Sequence, residues 1–348
     1  MDLGAPTHRP PEAAGTPALR YADRAGIPSL REALYRRITH RSGFRGEPFH
    51  VTVTAGASMA FTSAVAGLTK AGDRVLLPDP GYPAYSGVVR ALARTPEHYS
   101  LARLFDGSQE LLKQLPGAVL LVLNSPSNPT GQTLSEPILS KVVAAAREHG
   151  LLIISDEVYA DLAESVPVSP ASLAPERTLV LDSISKTFAL AGARVGCAAG
   201  PADLIGPVTR ANWLLGMSVS EPSQRLALGA LTARDGYLDD IRMGLTRKRH
   251  LSAGILREYG FDCAPPDAGI FLWLDVSQLG TGKMISEVLQ RTVRVSVTAG
   301  EPFGPHGSGH IRISCAGDEA DVAEGTHRIG RTLAALRRRV STRGKSGA

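Results

Sequence analysis

Seven lysines occur in the chain: Lys70, Lys113, Lys141, Lys186, Lys248, Lys283 and Lys345. Most fall on polar helical patterns or in tails. Lys186 alone follows a buried run, Leu179-Val180-Leu181, and stands among the hydroxyls of Ser183, Ser185 and Thr187. An amine in such a place is desolvated and loses basicity, which is what a Schiff-base nucleophile needs. The alternative is a structural lysine paired with a nearby acid. Arg194 follows eight residues after Lys186.

Other polar residues stand at the ends of comparable runs. Leu151-Leu152-Ile153-Ile154-Ser155 leads into Asp156, with Glu157, Val158 and Tyr159 behind it. A carboxylate after a buried strand is costly unless it meets a cation or donors, although a helix-capping Asp is the plainer reading. Thr54-Ala55-Gly56-Ala57-Ser58 opens a helix. Small residues and a hydroxyl there either seat a phosphate on free N–H groups or merely cap the helix. Asp79-Pro80-Gly81-Tyr82-Pro83 is a rigid turn that presents an aromatic ring or packs it on its own loop. Asn124 to Gly131 contains two X-Pro units that hold the loop extended and fix where Asn128 points; a surface turn is equally open.

These residues need a scaffold. From about residue 50 to 200, short apolar runs alternate with helical patterns. The runs are Val51 to Val53, Arg74 to Leu77, Ala118 to Leu123, Leu151 to Ile154 and Thr178 to Leu181, with a further one at Arg194 to Ala199. Helical patterns cover Ser58 to Leu68 and Ser135 to Glu148. This predicts an α/β fold with a mostly parallel central sheet flanked by helices, whose ligand sits beyond the C-terminal strand ends. After about residue 240 a smaller α+β unit is expected. It comprises a helix from Arg242 to Tyr259, the run Gly269 to Asp275, a helix from Lys283 to Gln290, strands at Arg294 to Val297 and His310 to Ser314, and a last helix from Ala320 to Arg339. The expected division is an N-terminal segment 1–19 packing with the small domain, a large domain 20–240, a small domain 241–340 and a flexible tail 341–348.

Composition excludes more than it proposes. The 348 residues are 43% apolar and 20% charged with a net charge of +5, ordinary for a globular protein. The one dense basic run, Arg337 through Lys345, reads as a solvated tail rather than a nucleic-acid arm. Cys197, Cys263 and Cys315 have neither metal nor disulfide spacing, so no metal is expected. No run approaches a membrane span and the N-terminus lacks a signal-peptide core, so no membrane partner and a cytoplasmic location are expected.

The string from Ser183 to Gly196, with Lys186 and Arg194, resembles the cofactor-lysine motif of class I/II aminotransferases, the fold-type I pyridoxal-phosphate enzymes. Asn128-Pro-Thr-Gly131 and Asp156-Glu-Val-Tyr159 resemble two further motifs of that family, in order. Tyr21 with Gly26 to Arg31, His310 to Ala316, and Gly4-Ala5-Pro6 resemble others, so the likeness covers nearly the whole chain. It implies pyridoxal 5'-phosphate as cofactor, with a Schiff base on Lys186 that later moves the Cα proton. Asp156 would pair with the pyridinium nitrogen; Asn128 and Tyr159 would hold the phenolic oxygen; Tyr82 would stack on the ring. Ala57, Ser58, Ser183, Ser185 and Arg194 would hold the phosphate. Arg312 would clamp the substrate carboxylate, with Asn128 and Gly4 beside the substrate. Tyr21 would reach the phosphate of a neighbouring subunit, implying a homodimer. The implied reaction moves an amino group from an amino acid to a 2-oxo acid in two half-reactions. Two departures stand out: the family's arm ahead of Gly-x-Pro is usually longer, and Ala189, Ala191 and Ala193 make the stretch after Lys186 unusually alanine-rich.

Competing readings differ in what they require. Lyases, cyclases, decarboxylases and oxidases use the same scaffold and nearly the same residues. A nicotinamide dehydrogenase needs Gly-x-Gly-x-x-Gly after the first strand, and Thr54 to Ser58 lacks it. A transcription regulator needs a DNA-binding head, and none is expected ahead of the cofactor fold.

Overall fold

The computed structural model describes residues 21–44, 50–107, 109–232 and 236–345, with side chains described through 339. Seven strands form the main sheet: β1 (His50–Thr54), β2 (Arg74–Asp79), β3 (Thr95–Ser100), β4 (Ala118–Asn124), β5 (Leu152–Asp156), β6 (Thr178–Ser183) and β7 (Gly196–Gly200). Their spatial order is β1-β7-β6-β5-β4-β2-β3. Neighbours from β3 through β6 are parallel, while β7 runs antiparallel to both β6 and β1. The mostly parallel sheet expected from the apolar runs is therefore present.

β4 shows why these runs are continuous rather than alternating. Leu120 and Val122 join the core on one face, with Phe61, Val65 and Val89; Leu121 and Leu123 join the other, with Leu139 and Val143. A strand covered on both faces has no position to spare for a polar side chain. The first face is covered by α2 (Ala57–Leu68), α3 (Ala84–Ala91) and the helix Ala202–Gly216. There Gly67 lets two helices approach closely, since a Cβ would stand 2.7 Å from the Pro207 carbonyl oxygen. The helix Glu136–Glu148 covers the second face. α1 (Pro28–Ser42) packs Leu30, Leu34 and Ile38 against β1 and β7.

A second core holds a three-stranded antiparallel sheet, with β8 (Phe271–Asp275) and β9 (Thr298–Ala299) flanking β10 (His310–Ser314). The helices Tyr237–Glu258, Gly282–Val293 and Glu319–Lys345 pack against it. Among the described residues no helix is long and apolar enough to cross a membrane.

Two elements differ from expectation. β3 has no apolar run, because as an edge strand it buries little besides Tyr99, so its pattern TPEHYS carries no signal. The strand expected at Arg294 to Val297 is irregular, and pairing with β10 begins only at Thr298. Arg294 ends the preceding helix in a left-handed conformation, φ 56°, and Val295 and Val297 pack on the core without ladder partners.

The two cores are joined where the loop after β4 meets the loop before β8. Ala268 N–H donates to the Gly131 carbonyl at 3.0 Å, and Thr133 Oγ1 donates to Asp267 Oδ2 at 2.8 Å. Fully buried Arg249 fixes the second loop, donating to the carbonyls of Pro266 at 3.1 Å and Gly269 at 3.0 Å. Gly131 has φ +71°, and a Cβ there would stand 2.6 Å from the Ala268 carbonyl oxygen. Gly131→Ala is expected to destabilise the protein by about 1–3 kcal/mol, read as a lower denaturant midpoint.

Candidate active site

The C-terminal ends of the parallel strands surround one cavity of about 300 Å³. Ala57, Ser58, Tyr82, Asn128, Asp156, Tyr159, Ser183, Ser185, Lys186, Arg194 and Arg312 all line it. Residues from six separate stretches of sequence thus converge, five of them at strand ends of the main sheet as the strand-end reading required. Tyr21 is half exposed and lies outside the lining, and Gly4 lies outside the described residues.

One end of the cavity is built to receive an anion. Gly56 (φ +81°) turns the chain from β1 into α2, and a Cβ there would stand 2.5 Å from Arg194 Nη2. Arg194 itself is left-handed (φ 54°), and its guanidinium donates to the carbonyls of Ala191 at 3.1 Å and Ala55 at 3.2 Å. Ser58 is not the N-cap, since Gly56 holds that position; its hydroxyl instead stands 3.5 Å from Tyr82 OH. Ser183 Oγ donates to Ser185 Oγ at 2.9 Å and accepts from Ser185 N–H at 3.1 Å. N–H groups at the start of a twelve-residue helix, two serine hydroxyls and a guanidinium could together seat a phosphate.

Lys186 stands beside this seat on a one-turn helix, Ile184–Thr187, lining the cavity. Among the described residues its amine has no ion-pair partner, so the structural-lysine reading has nothing to support it. Burial lowers its pKa, and the Arg312 and Arg194 guanidiniums lower it further.

Asp156 is the counterpart. It ends β5, is 6% exposed, and its partners are the Tyr85 hydroxyl on Oδ2 and Val158 N–H on Oδ1 at 3.3 Å. No cation neutralises it among the described residues. Burial pushes its pKa up to about 6, against the two hydrogen bonds, and the charges of Asp182 and Glu157 act in the same direction as burial. A buried acid without a cation fits a ligand that brings a positive charge or a proton.

Asn128 and Arg312 form the opposite wall. Arg312 Nη1 donates to Asn128 Oδ1 at 2.7 Å, and the guanidinium lies 5.0 Å from the ring centroids of both Phe271 and Phe303. Asn128 is held by Asn124, whose Oδ1 accepts from Asn128 N–H at 2.7 Å and whose Nδ2 donates to the carbonyls of Asp156 and Pro126. Tyr159 is buried against Phe271, ring centroids 5.4 Å apart. Tyr82 meets Tyr85 edge-on at 5.4 Å. Burial and the Asp156 charge push both the Tyr85 and Tyr159 hydroxyls above the ordinary range, Arg312 opposing this at Tyr159.

Tyr85, Asn124, Phe271 and Phe303 are site residues that the sequence reading missed. Tyr85 had a signal: it lies three residues after Tyr82 at the start of α3, so both rings share one side of the first turn. Asn124 could have been found as the residue ending β4. Phe303 comes from an irregular loop of the second core and had none.

The family model for class I and II aminotransferases matches residues 6–329. The chain belongs to that family. An arginine–pyruvate transaminase of Pseudomonas aeruginosa is 34% identical over 91% of this aminotransferase and 83% of its own length. An aspartate/prephenate aminotransferase of Thermus thermophilus is 29% identical over 90% of the chain and 83% of its own. Among solved structures, an aromatic aminotransferase from Pyrococcus horikoshii superposes with a TM-score of 0.84 at 29% identity, covering 90% of this chain and 88% of that one.

The Asp156 environment gives this aminotransferase a pH signature in the absence of any ligand. Burial holds its carboxyl at about 6 in the folded chain, above the ordinary aspartate value of 3.8. Between these values the folded chain holds a proton that the unfolded chain has lost, so stability falls as pH rises from about 4 to about 6 and stays lower above. Asp156→Asn is therefore expected to stabilise the cofactor-free protein by about 1–3 kcal/mol at pH 8 and to have little effect at pH 4. Paired thermal melts at the two pH values measure the difference.

Proposed function

We propose that this aminotransferase binds pyridoxal 5'-phosphate at Lys186 and passes an amino group between an amino acid and a 2-oxo acid, donor and acceptor taking turns in one site. The observation carrying this reading is that, among the described residues, an amine without an ion-pair partner and a buried Asp156 without a cation line one cavity. When bound, pyridoxal phosphate supplies an aldehyde that condenses with amines and a pyridine ring that withdraws electrons.

Ala57, Ser58, Ser183, Ser185 and Arg194 would hold the phosphate. Asp156 would accept the hydrogen bond of the protonated ring nitrogen. Asn128 and Tyr159 would hydrogen-bond the ring oxygen, and Tyr82 would cover one face. Lys186, its basicity lowered by burial and by its two arginine neighbours, would attach the cofactor and serve as the base for the substrate Cα proton. Arg312 holds the substrate carboxylate bidentately, oriented by the aromatic rings on which it rests.

The same reading extends to assembly. Leu214, Leu215 and Met217 are exposed at the end of the helix Ala202–Gly216, and Met217 shares a pocket with Ala55 and Arg194 beside the phosphate seat. An apolar patch there suits a second subunit, whose Tyr21 would complete the phosphate site. Three free, buried cysteines suit a cytoplasmic setting. Separate cores support division into a large domain 20–240 and a small domain 241–340.

Mixing the purified protein with candidate amino acids and 2-oxoglutarate or pyruvate is expected to yield glutamate or alanine. Lys186→Ala is expected to abolish turnover and borohydride-trappable cofactor. Ammonia or peroxide release without amino transfer, or a trapped adduct in the variant, would overturn the assignment. Sedimentation is expected to give twice the chain mass, and Leu214→Glu to shift it toward the monomer.

A further inference from the structure

A layer of charge lies beneath the cavity. α1 turns Arg37 and Arg41, one helical turn apart, against the ends of β5 and β6. Arg41 is buried; its Nη1 donates to Asp182 Oδ2 at 2.9 Å, its Nη2 donates to Glu157 Oε2 at 3.0 Å, and Asp161 Oδ1 stands at 3.4 Å. Arg37 Nε donates to Asp161 Oδ2 at 2.7 Å, and its Nη2 donates to Thr187 Oγ1 at 3.2 Å. The partners are chain neighbours of cavity residues: Glu157 follows Asp156, Asp182 precedes Ser183, and Thr187 follows Lys186. None of these partners lines the cavity itself.

The backbone is engaged as well. Asp182 Oδ1 accepts from Ser183 N–H at 2.7 Å, and Glu157 Oε1 accepts from Ser155 Oγ at 2.8 Å and from Ser169 Oγ. Two guanidiniums therefore serve three buried carboxylates, and Arg41 Nε and Arg37 Nη1 still lack partners. Buried ion pairs of this kind add little stability over apolar packing, whereas losing one member leaves an uncompensated charge. Glu157 and Asp182 both favour the protonated form of Asp156.

We propose that Arg41, assisted by Arg37, is a positioning residue of the cofactor site: it offsets part of the charge of Glu157 and Asp182 and ties together the strand ends that present Asp156, Ser183 and Lys186. This rests on pyridoxal phosphate binding at Lys186. The other groups facing the network are Cys197 from β7, and His40 and the Arg36–Glu32 pair on α1. Tyr82, Tyr85 and Tyr159 face Asp156, while Arg194 and Arg312 face Lys186.

The test uses the cofactor-loaded protein and reads the midpoint of the pH titration of its visible absorption, which follows the proton on the lysine–cofactor linkage. Arg41→Met removes a positive charge, favours the protonated linkage, and is expected to raise the midpoint by about half a pH unit or more. Asp182→Asn removes a negative charge and is expected to lower it by a similar amount. Arg41→Met combined with Asp182→Asn is expected to return it close to the native value. If Arg41→Met does not fold, the downward shift in Asp182→Asn and the native-like double variant decide the matter. Unchanged midpoints in the folded variants, even with lowered melting temperatures, would overturn the proposal and leave Arg41 a structural residue. A native protein that takes up pyridoxal phosphate without a visible band, or not at Lys186, would overturn the underlying cofactor reading instead.

Discussion

A carboxylate held out of water without a cation is the constraint around which this site is arranged. Asp156 sits at the end of a fully covered strand, where an ionised acid is disfavoured unless something answers it. The fold answers with dipoles: the Tyr85 hydroxyl, Val158 N–H, and the Asn124 amide that holds the Asp156 carbonyl. The positive charges nearby are committed elsewhere, Arg312 to Asn128 and Arg194 to backbone carbonyls. Asp156 therefore faces the cavity without a cation among the described residues, and Lys186, Arg194 and Arg312 line the same cavity.

The sheet and most of its strand ends were legible in the sequence because burial on both faces writes itself as uninterrupted apolar runs. Asp156, Asn128 and Ser183 stood out for the complementary reason, being polar residues where a covered strand stops. The edge strand β3 was not legible, since one exposed side leaves room for Thr95, Glu97 and His98. Nor was Phe303, which reaches Arg312 from an irregular loop. Local spacing could not say whether Ser58 caps its helix or faces a ligand. That depended on Gly56 taking the cap position, a backbone property of the next turn.

The second core contributes Ile270, Phe271 and Arg312 to the cavity wall. Arg312 on β10 reaches Asn128 of the first core, while Arg249 fixes the loop that meets Gly131 on the same Asn128 loop. The two cores are joined here by hydrogen bonds and by an apolar cluster in which Tyr159 and Leu162 meet Leu245 and Phe271. Relative movement of the two cores would be felt first at the Arg312–Asn128 contact.

The reversed strand β7 has a consequence for how compact the lysine motif can be. In a parallel pair, returning to the same rim takes a full crossover of a dozen or more residues. Because β7 runs back from that rim, with Gly196 opposite Ser183, its first residues rather than its last lie at the cavity. Lys186 and Arg194 can thus share a single short excursion of chain. The length of that excursion becomes part of the anion-binding geometry: one inserted residue would slide the guanidinium past its carbonyl anchors while leaving every functional side chain in the sequence.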